Sequence, residues 1–474
     1  MIKINVKDEK LLDELKLVVK LFYSETEIEN LDMEFNIEQS IEDINITTKI
    51  TTNFDDNIYQ SQDIIKDIKF PERYKKRYAK LLLFNILKKL NPDKKLSWGS
   101  LTGIRPTKLY YELIKENKGD KSKALSEFID KFGVTYEKAM LTREIIRNQS
   151  FVIKNENLVD LYVNIPFCPS KCYYCSFISM PIDKCREQLE PYLQALKKEI
   201  IEAKKLIEQK NYLIKSIYIG GGTPTILSAE QLDNLLNIID YDVNEFTVEC
   251  GRPDTITKEK LDVLKKHNVT RISINPQTFC NKTLKEIGRT HSTEDILQAY
   301  KLAINYDFCI NMDLIAGLGS EKLTTFKKSL NKAIEFAPDN ITVHTLSIKR
   351  GSELKEQESQ VSSDEEVIKM LEYSYKALSD AGYKPYYLYK QKNMIGNLEN
   401  IGYFRQKPSV FNIDSMEEFA SVIACGANAI SKRYYALNNK IERFANLKNI
   451  NEYINRIDEM IAKKNELFGI EKSL

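Results

Sequence analysis

Cys168, Cys172 and Cys175 stand in a C-x3-C-x2-C spacing, within the stretch Phe167-Cys168-Pro169-Ser170-Lys171-Cys172-Tyr173-Tyr174-Cys175 that follows the apolar run Leu158–Ile165. Thiolates are soft ligands, and three in one short loop suit an iron–sulfur cluster. Held by only three thiolates, a [4Fe–4S] cluster keeps one iron open to a chelating small molecule. A structural zinc would take four ligands, and the nearest further cysteine, Cys185, stands at the wrong spacing. Incidental thiols are the third reading.

A second motif, Gly220-Gly221-Gly222-Thr223-Pro224-Thr225, follows another apolar run. Adjacent glycines let backbone approach a ligand closely and leave amides free for its polar ends. Taken alone it is equally a tight strand-to-helix turn.

These motifs need a scaffold, and the chain between about Glu156 and Ser347 supplies one. Candidate strands Val159–Ile165, Ser216–Ile219, Phe246–Cys250, Arg271–Ile274, Ile310–Ile315 and Ile341–Leu346 alternate with amphipathic helices. The helices are Tyr192–Ile207, Ala229–Ile239, Lys258–Lys266, Thr293–Ile304 and Thr325–Phe336. Such alternation implies parallel strands joined by right-handed crossovers. An open sheet and a barrel both satisfy it, and a partial barrel leaves room for a large substrate. Ahead of it, residues 1–150 read as a small α/β domain: strand Met1–Val6, a helix through Leu11–Leu21, strands Leu31–Ile37 and Ile44–Thr51, and a helix from Pro71 to Leu90. It ends at Trp98–Leu109, where Gly103 is expected to turn the chain and Pro106 to open a helix. That stretch reads as a structural joint, or as an anion site through Arg105 and Lys108.

Residues 351–474 read as an extension over the barrel. A helix from Val361 ends at Gly382. The aromatic run Tyr383–Lys392 is either an edge strand or one wall of a pocket for a flat ligand, and Asn446–Lys464 reads as a closing helix.

The chain has 474 residues, and 42% of them are hydrophobic, enough for more than one core. Lys plus Arg, 70, nearly cancels Asp plus Glu, 68, which argues against nucleic acid as the main partner. No run is apolar enough to span a bilayer, and the first residues read as a strand rather than a leader. Eight cysteines in no paired framework fit a reducing cytoplasm.

With Tyr162 and Pro166-Phe167 ahead of the cysteines and the glycine run one strand–helix unit beyond, the segment from Leu161 to about Gly319 resembles the radical S-adenosylmethionine superfamily. More narrowly it resembles the oxygen-independent coproporphyrinogen III oxidase family. Thr247–Asp254, Arg271–Phe279, Ile287–His291 and Asn311–Leu318 match that family's strand ends. Outside the core, Trp98–Leu109, Val343–Arg350 and Tyr386–Tyr403 look like its coproporphyrinogen dehydrogenase subgroup.

The resemblance implies a partial (β/α)6 radical-SAM TIM-type barrel, with the N-terminal α/β domain and a C-terminal α+β extension. It implies a [4Fe–4S] cluster on Cys168, Cys172 and Cys175. Tyr162, Tyr174, Gly221, Gly222, Thr223, Glu249, Gln277, Arg289 and Asp313 become expected S-adenosylmethionine contacts, with Tyr174 also placed in a catalytic role beside the cluster. An acid suits ribose hydroxyls or an ammonium, an arginine suits a carboxylate, and an amide suits either.

The implied reaction is oxidative decarboxylation of coproporphyrinogen III to protoporphyrinogen IX in heme biosynthesis by a 5′-deoxyadenosyl radical. A flavodoxin- or ferredoxin-type reductant would feed it. Arg252, Lys349, Arg350, Lys390 and Lys392 are expected partners for substrate carboxylates.

Two departures stand in the pattern. Ser176-Phe177 follow Cys175 where the oxidising branch has a further cysteine, as in heme-chaperone relatives, and Gly319-Ser320-Glu321 replace Pro-Gly-Glu. A heme chaperone, or a radical enzyme acting on another porphyrin, is therefore the alternative.

Overall fold

The computed structural model describes residues 1–474 apart from 56, 69, 104, 176–178, 348–361, 391–393, 437–439 and 470–474. The chain divides into two compact units, Met1–Arg143 with Lys390, and Glu144–Tyr389 with the remaining C-terminal residues.

In the first unit, strands Ile2–Asn5, Met33–Glu42, Asn45–Thr52 and Ile58–Ile64 form a sheet in that order. The first pair is parallel and the others antiparallel. Helices Glu9–Phe22 and Pro71–Leu90 lay Leu11, Leu15, Val18, Ala79, Leu83 and Leu87 against Phe35, Ile37 and Ile50, the core of this unit. Proline opens the second helix, as the sequence predicts. The fourth strand has no sequence signal, because it is an edge strand whose residues are at most half-buried. At the Trp98 joint, the left-handed residue is Gly99 (φ +51) rather than Gly103. A Cβ on Gly99 would lie 2.1 Å from the Phe132 carbonyl, so the glycine is where two backbones meet. Trp98 is buried beside it, and the Lys390 ammonium sits over its ring.

The second unit is an eleven-stranded sheet. Six parallel strands make its centre, ordered Leu158–Ile165, Leu213–Gly221, Phe246–Glu249, Arg271–Ser273, Cys309–Ala316 and Asn340–Thr345. They agree with the sequence-predicted strands to within three residues at either end. Val159, Leu161, Val163, Ile165, Ile217, Ile219, Val248 and Ile272 point to one face and pack with Leu196, Ile200, Leu232, Leu261 and Ala303 of the crossover helices. The twofold strand period therefore turns Asp160, Tyr162, Asn164, Ser216, Tyr218, Glu249, Ser273, Asp313 and His344 to the inner face. The fold is the expected partial radical-SAM barrel.

Both ends of the barrel are extended by later chain. Asn400–Phe404 pairs antiparallel with the sixth strand and Lys384–Tyr389 pairs outside it. On the other side Ser421–Cys425 runs parallel to Leu158–Ile165, followed by the hairpin Ile430–Tyr435 and Lys440–Ala445. These last three strands are not legible in the sequence. The predicted closing helix over Asn446–Lys464 is corrected to two helices, Ile450–Asn455 and Ile457–Leu467. Asn446 lies outside both because its buried amide donates to Glu199 and to the Gly426 carbonyl.

Candidate functional site

Helix Val410–Glu417 closes the inner face at the strands' N-terminal ends. Its Phe411 ring stacks on Tyr218 at 4.3 Å, and its first amides donate to the buried Glu245 carboxylate. The chamber is therefore floored here and opens at the C-terminal strand ends, where parallel α/β enzymes bind ligands.

The three cysteines lie in the loop after the first strand. Gly222 and Thr223 donate their amides to the carbonyls of Ile165 and Phe167, both at 2.8 Å, which ties the glycine turn to the start of that loop. Cys168 Sγ is 3.5 Å from Thr223 Oγ1. From below, Tyr173 donates its amide to Ile287, and Ser170 Oγ donates to the Gly288 carbonyl at 3.0 Å. Arg252 donates to Ser170 Oγ and to Thr290, and pairs with Asp254. Burial would raise the Asp254 carboxyl, but His291 and Arg252 outweigh it and hold the group well below the usual range. Arg252 thus anchors the cysteine loop, which corrects its expected role as a substrate-carboxylate partner.

Arg289, also buried, donates to the Tyr174 hydroxyl at 3.2 Å and faces the Cys172 thiol. Burial pushes the Tyr174 hydroxyl pKa up, so the tyrosine stays neutral.

Tyr162 reaches Asn164 Oδ1 at 3.1 Å. Gly221 needs its missing side chain there: at φ +106, a Cβ would stand 2.0 Å from the same oxygen. Glu249 accepts from the Tyr218 hydroxyl at 2.5 Å and from the Gly221 amide at 3.2 Å. Burial drives its carboxyl up to about 7, against the pull of Tyr218 and with the help of the Asp313 charge. Burial works against Asp313 as well, but hydrogen bonding and charge from His344 hold it low. Asn311 donates to Asp313 at 2.8 Å. Gln277 adopts a left-handed backbone (φ +65), donates its amide to the Asp313 carbonyl, and buries Oε1 without a partner. Strain of that kind in a non-glycine residue concentrates at ligand sites.

The predicted residues therefore form two adjoining groups. Cys168, Cys172, Tyr174, Thr223 and Arg289 gather at the loop, and Tyr162, Gly221, Glu249, Gln277 and Asp313 line the chamber mouth. Sequence reasoning missed Asn164, Tyr218 and Asn275. Their strand alternation with Tyr162, Gly220 and Gln277 was the available signal. On the far wall, Tyr389 approaches His344 Nδ1 at 3.3 Å and stacks on Tyr387, while Tyr386 and Tyr387 pack with Ile413 of the floor helix. The aromatic run is thus an edge strand whose alternate rings reach the chamber. Lys390 donates to the Leu101 carbonyl within the first unit. Ser176, Phe177, Lys349, Arg350 and Lys392 lie outside the described residues.

Among the described residues, no group of three or more His, Cys, Asp or Glu side chains converges on a single metal ion. The donor chemistry nonetheless fits a cluster. Three thiols share one loop, the buried Arg252 and Arg289 guanidiniums stand beside that loop, and Gly222 leaves open a space whose Cβ would lie 3.0 Å from Cys168 Sγ. No helix among the described residues is long and apolar enough to cross a membrane.

Comparison with known proteins agrees with this geometry. The radical SAM superfamily profile matches residues 162–333. The oxygen-independent coproporphyrinogen-III oxidase-like protein HemZ of Bacillus subtilis (strain 168) is 39% identical over 381 residues, 77% of this chain and 76% of that protein. The heme chaperone HemW of the same organism is 36% identical over 192 residues, 39% of this chain and 49% of the chaperone. Among solved structures, the coproporphyrinogen III oxidase HemN of Escherichia coli, a radical SAM enzyme, superposes with TM-score 0.52 at 22% identity, covering 69% of this chain and 74% of that one.

Proposed function

Because the chain belongs to the radical SAM superfamily, in the group of the oxygen-independent coproporphyrinogen-III oxidase-like proteins, we propose that it oxidatively decarboxylates coproporphyrinogen III to protoporphyrinogen IX. The family's cofactors are a [4Fe–4S] cluster and S-adenosylmethionine, which together supply hydrogen-atom abstraction when bound. Each reacting propionate would give one hydrogen atom to the 5′-deoxyadenosyl group, one electron to a one-electron acceptor and its carboxylate as carbon dioxide, and become a vinyl group. A flavodoxin- or ferredoxin-type protein is the proposed reductant.

This chain's residues do the holding. Cys168, Cys172 and Cys175 present thiolates. The Gly221–Thr223 backbone and Glu249 receive the amino end of S-adenosylmethionine, Arg289 its carboxylate, and Gln277 and Asp313 its ribose. Tyr162 fixes the strand end beneath it through Asn164. Tyr174 fills the space beside the cluster and keeps water from it. Tyr387 and Tyr389, whose rings are near-parallel, give the chamber an aromatic wall that suits a tetrapyrrole, with His344 set edgewise beside Tyr389.

The observation that carries this reading is the extent of likeness. It is 39% identity over 77% of the chain for the oxidase-like relative, against 36% over 39% and 29% over 65% of the chain for two heme chaperones. The chaperone reading keeps one point in its favour, the Ser176-Phe177 pair after the third cysteine. Anaerobic protein, reduced with dithionite and given S-adenosylmethionine and coproporphyrinogen III, should yield a vinyl product with matching 5′-deoxyadenosine. Cofactor cleavage with no vinyl product, alongside stoichiometric heme binding, decides for the chaperone.

A further inference from the structure

A polar atom buried without a partner costs free energy, so in a folded protein it marks where something else completes it. Two such atoms of opposite kind stand on neighbouring residues in the chamber. Arg289 donates through Nη1 to the Asn275 carbonyl at 2.6 Å and to the Gly251 carbonyl at 3.4 Å. Its Nη2 donates to Tyr174, while Nε is buried and donates to nothing. Asn275, whose carbonyl the guanidinium grips, buries Oδ1 and accepts nothing there.

The placement follows from the strand. Asn275 lies two residues beyond Ser273, so it shares the inner face with Ser273. On the adjacent strand Glu249 pairs with Ser273, which brings Gly251 beside Asn275. Gly251 makes the room, since a Cβ there would stand 3.2 Å from Asn275 Nδ2.

An orphaned donor on a fixed cation, next to an orphaned acceptor, complements the two ends of an α-amino acid. The guanidinium suits a carboxylate, and the carboxamide oxygen suits an amino N–H. Gln277 Oε1, two residues on, is a separate orphan nearer Asp313 and belongs to the nucleoside side of the site.

We propose that Asn275 is a further cofactor contact, whose Oδ1 accepts a hydrogen bond from the amino group of the methionyl part of S-adenosylmethionine while Arg289 takes its carboxylate. Glu249 and Asn275 then share the N–H bonds of that one amino group. The inference rests on the cofactor-site reading given above.

The test is calorimetry on the anaerobically reconstituted protein with two ligands. S-adenosylhomocysteine carries the amino-acid end, and 5′-methylthioadenosine has the nucleoside without it. Asn275→Ala should bind S-adenosylhomocysteine about tenfold more weakly, leave 5′-methylthioadenosine unchanged, and keep wild-type iron content. Asn275→Asp, which restores an acceptor oxygen, should recover most of the loss. Unchanged S-adenosylhomocysteine affinity in Asn275→Ala, or an equal loss for both ligands, overturns the assignment. Glu249→Ala separates the two levels. If it weakens S-adenosylhomocysteine while Asn275→Ala does not, Asn275 alone is misassigned. If the wild type binds neither ligand, the cofactor-site reading itself falls.

Discussion

The Tyr218 hydroxyl donates to the Glu249 carboxylate at 2.5 Å across two neighbouring strands, and the ring that makes this bond is held from below by Phe411. The floor of the barrel thus fixes the rotamer of an acid at its mouth. The same acid accepts the Gly221 amide, so strand, glycine turn and carboxylate are one unit.

The first prediction concerns pH. With a carboxyl raised to about 7, Glu249 is largely protonated at pH 6 in the free protein. A ligand ammonium binds the ionised form better, so binding expels a proton and affinity rises with pH. Between pH 6 and pH 8 wild-type affinity for S-adenosylhomocysteine should rise by about tenfold, and that of Glu249→Gln by much less. Equal slopes in the two proteins would assign the titration elsewhere. The folded form alone runs the other way. From the ordinary value of 4.5 up to about 7 it holds a proton that the unfolded chain has lost, so this group's contribution to stability falls as pH rises.

Iron should follow the loop cysteines only. Cys168→Ala, Cys172→Ala and Cys175→Ala are expected to lose the cluster's visible absorption. Alanine at Cys185, Cys250, Cys280, Cys309 or Cys425 should leave it intact. A fully loaded Cys172→Ala protein would refute the assignment.

Gly222→Ala tests the cradle. The added Cβ would stand 2.5 Å from the Phe167 carbonyl, which is backbone and cannot swing aside. The loop carrying Cys168 must shift, at a cost of about 1–3 kcal/mol. Iron per chain after reconstitution should fall while the circular dichroism stays that of the wild type. Full iron loading would show that the contact is relieved without moving the cysteine.

Lys464→Met should be the most destabilising of these changes. Lys464 Nζ lies 2.5 Å from Glu199 Oε1, with the two side chains 2% and 0% exposed. Glu199 also collects the Gly426 amide, Asn446 and the Tyr453 hydroxyl, so losing the ammonium leaves an uncompensated buried charge. The expected loss is about 3–5 kcal/mol, read from the urea midpoint. Lys464→Met together with Glu199→Gln should recover part of it. A single mutant as stable as the wild type would mean that the buried pair contributes nothing net to stability.

The sequence by itself determined the alternating strand–helix core. Apolar runs of four to eight residues alternating with amphipathic helices have one economical arrangement, because parallel strands need crossovers and crossovers have one hand. The strand predictions over Val159–Ile165 and Ile341–Leu346 therefore fall within a residue of Leu158–Ile165 and Asn340–Thr345. Cys168, Cys172 and Cys175 were legible because ligand spacing within one loop is a local property. So was Gly222, where backbone must pass close.

What only the tertiary structure decided is which polar residues meet across strands. That Arg252 anchors the cysteine loop depends on Ser170, Thr290 and Asp254, which come from three separate loops. That Ser421–Cys425 lies beside the first strand is a pairing across more than 250 residues. No periodicity encodes it, because that five-residue strand is buried throughout and shows no alternation. The late start of the closing helices was likewise hidden, since it depends on Asn446 reaching Glu199 on a helix far away in sequence. Local pattern fixes elements and their faces. Long-range hydrogen bonds and buried charges decide which of those faces becomes a site, because their energy exists only once distant partners are brought together.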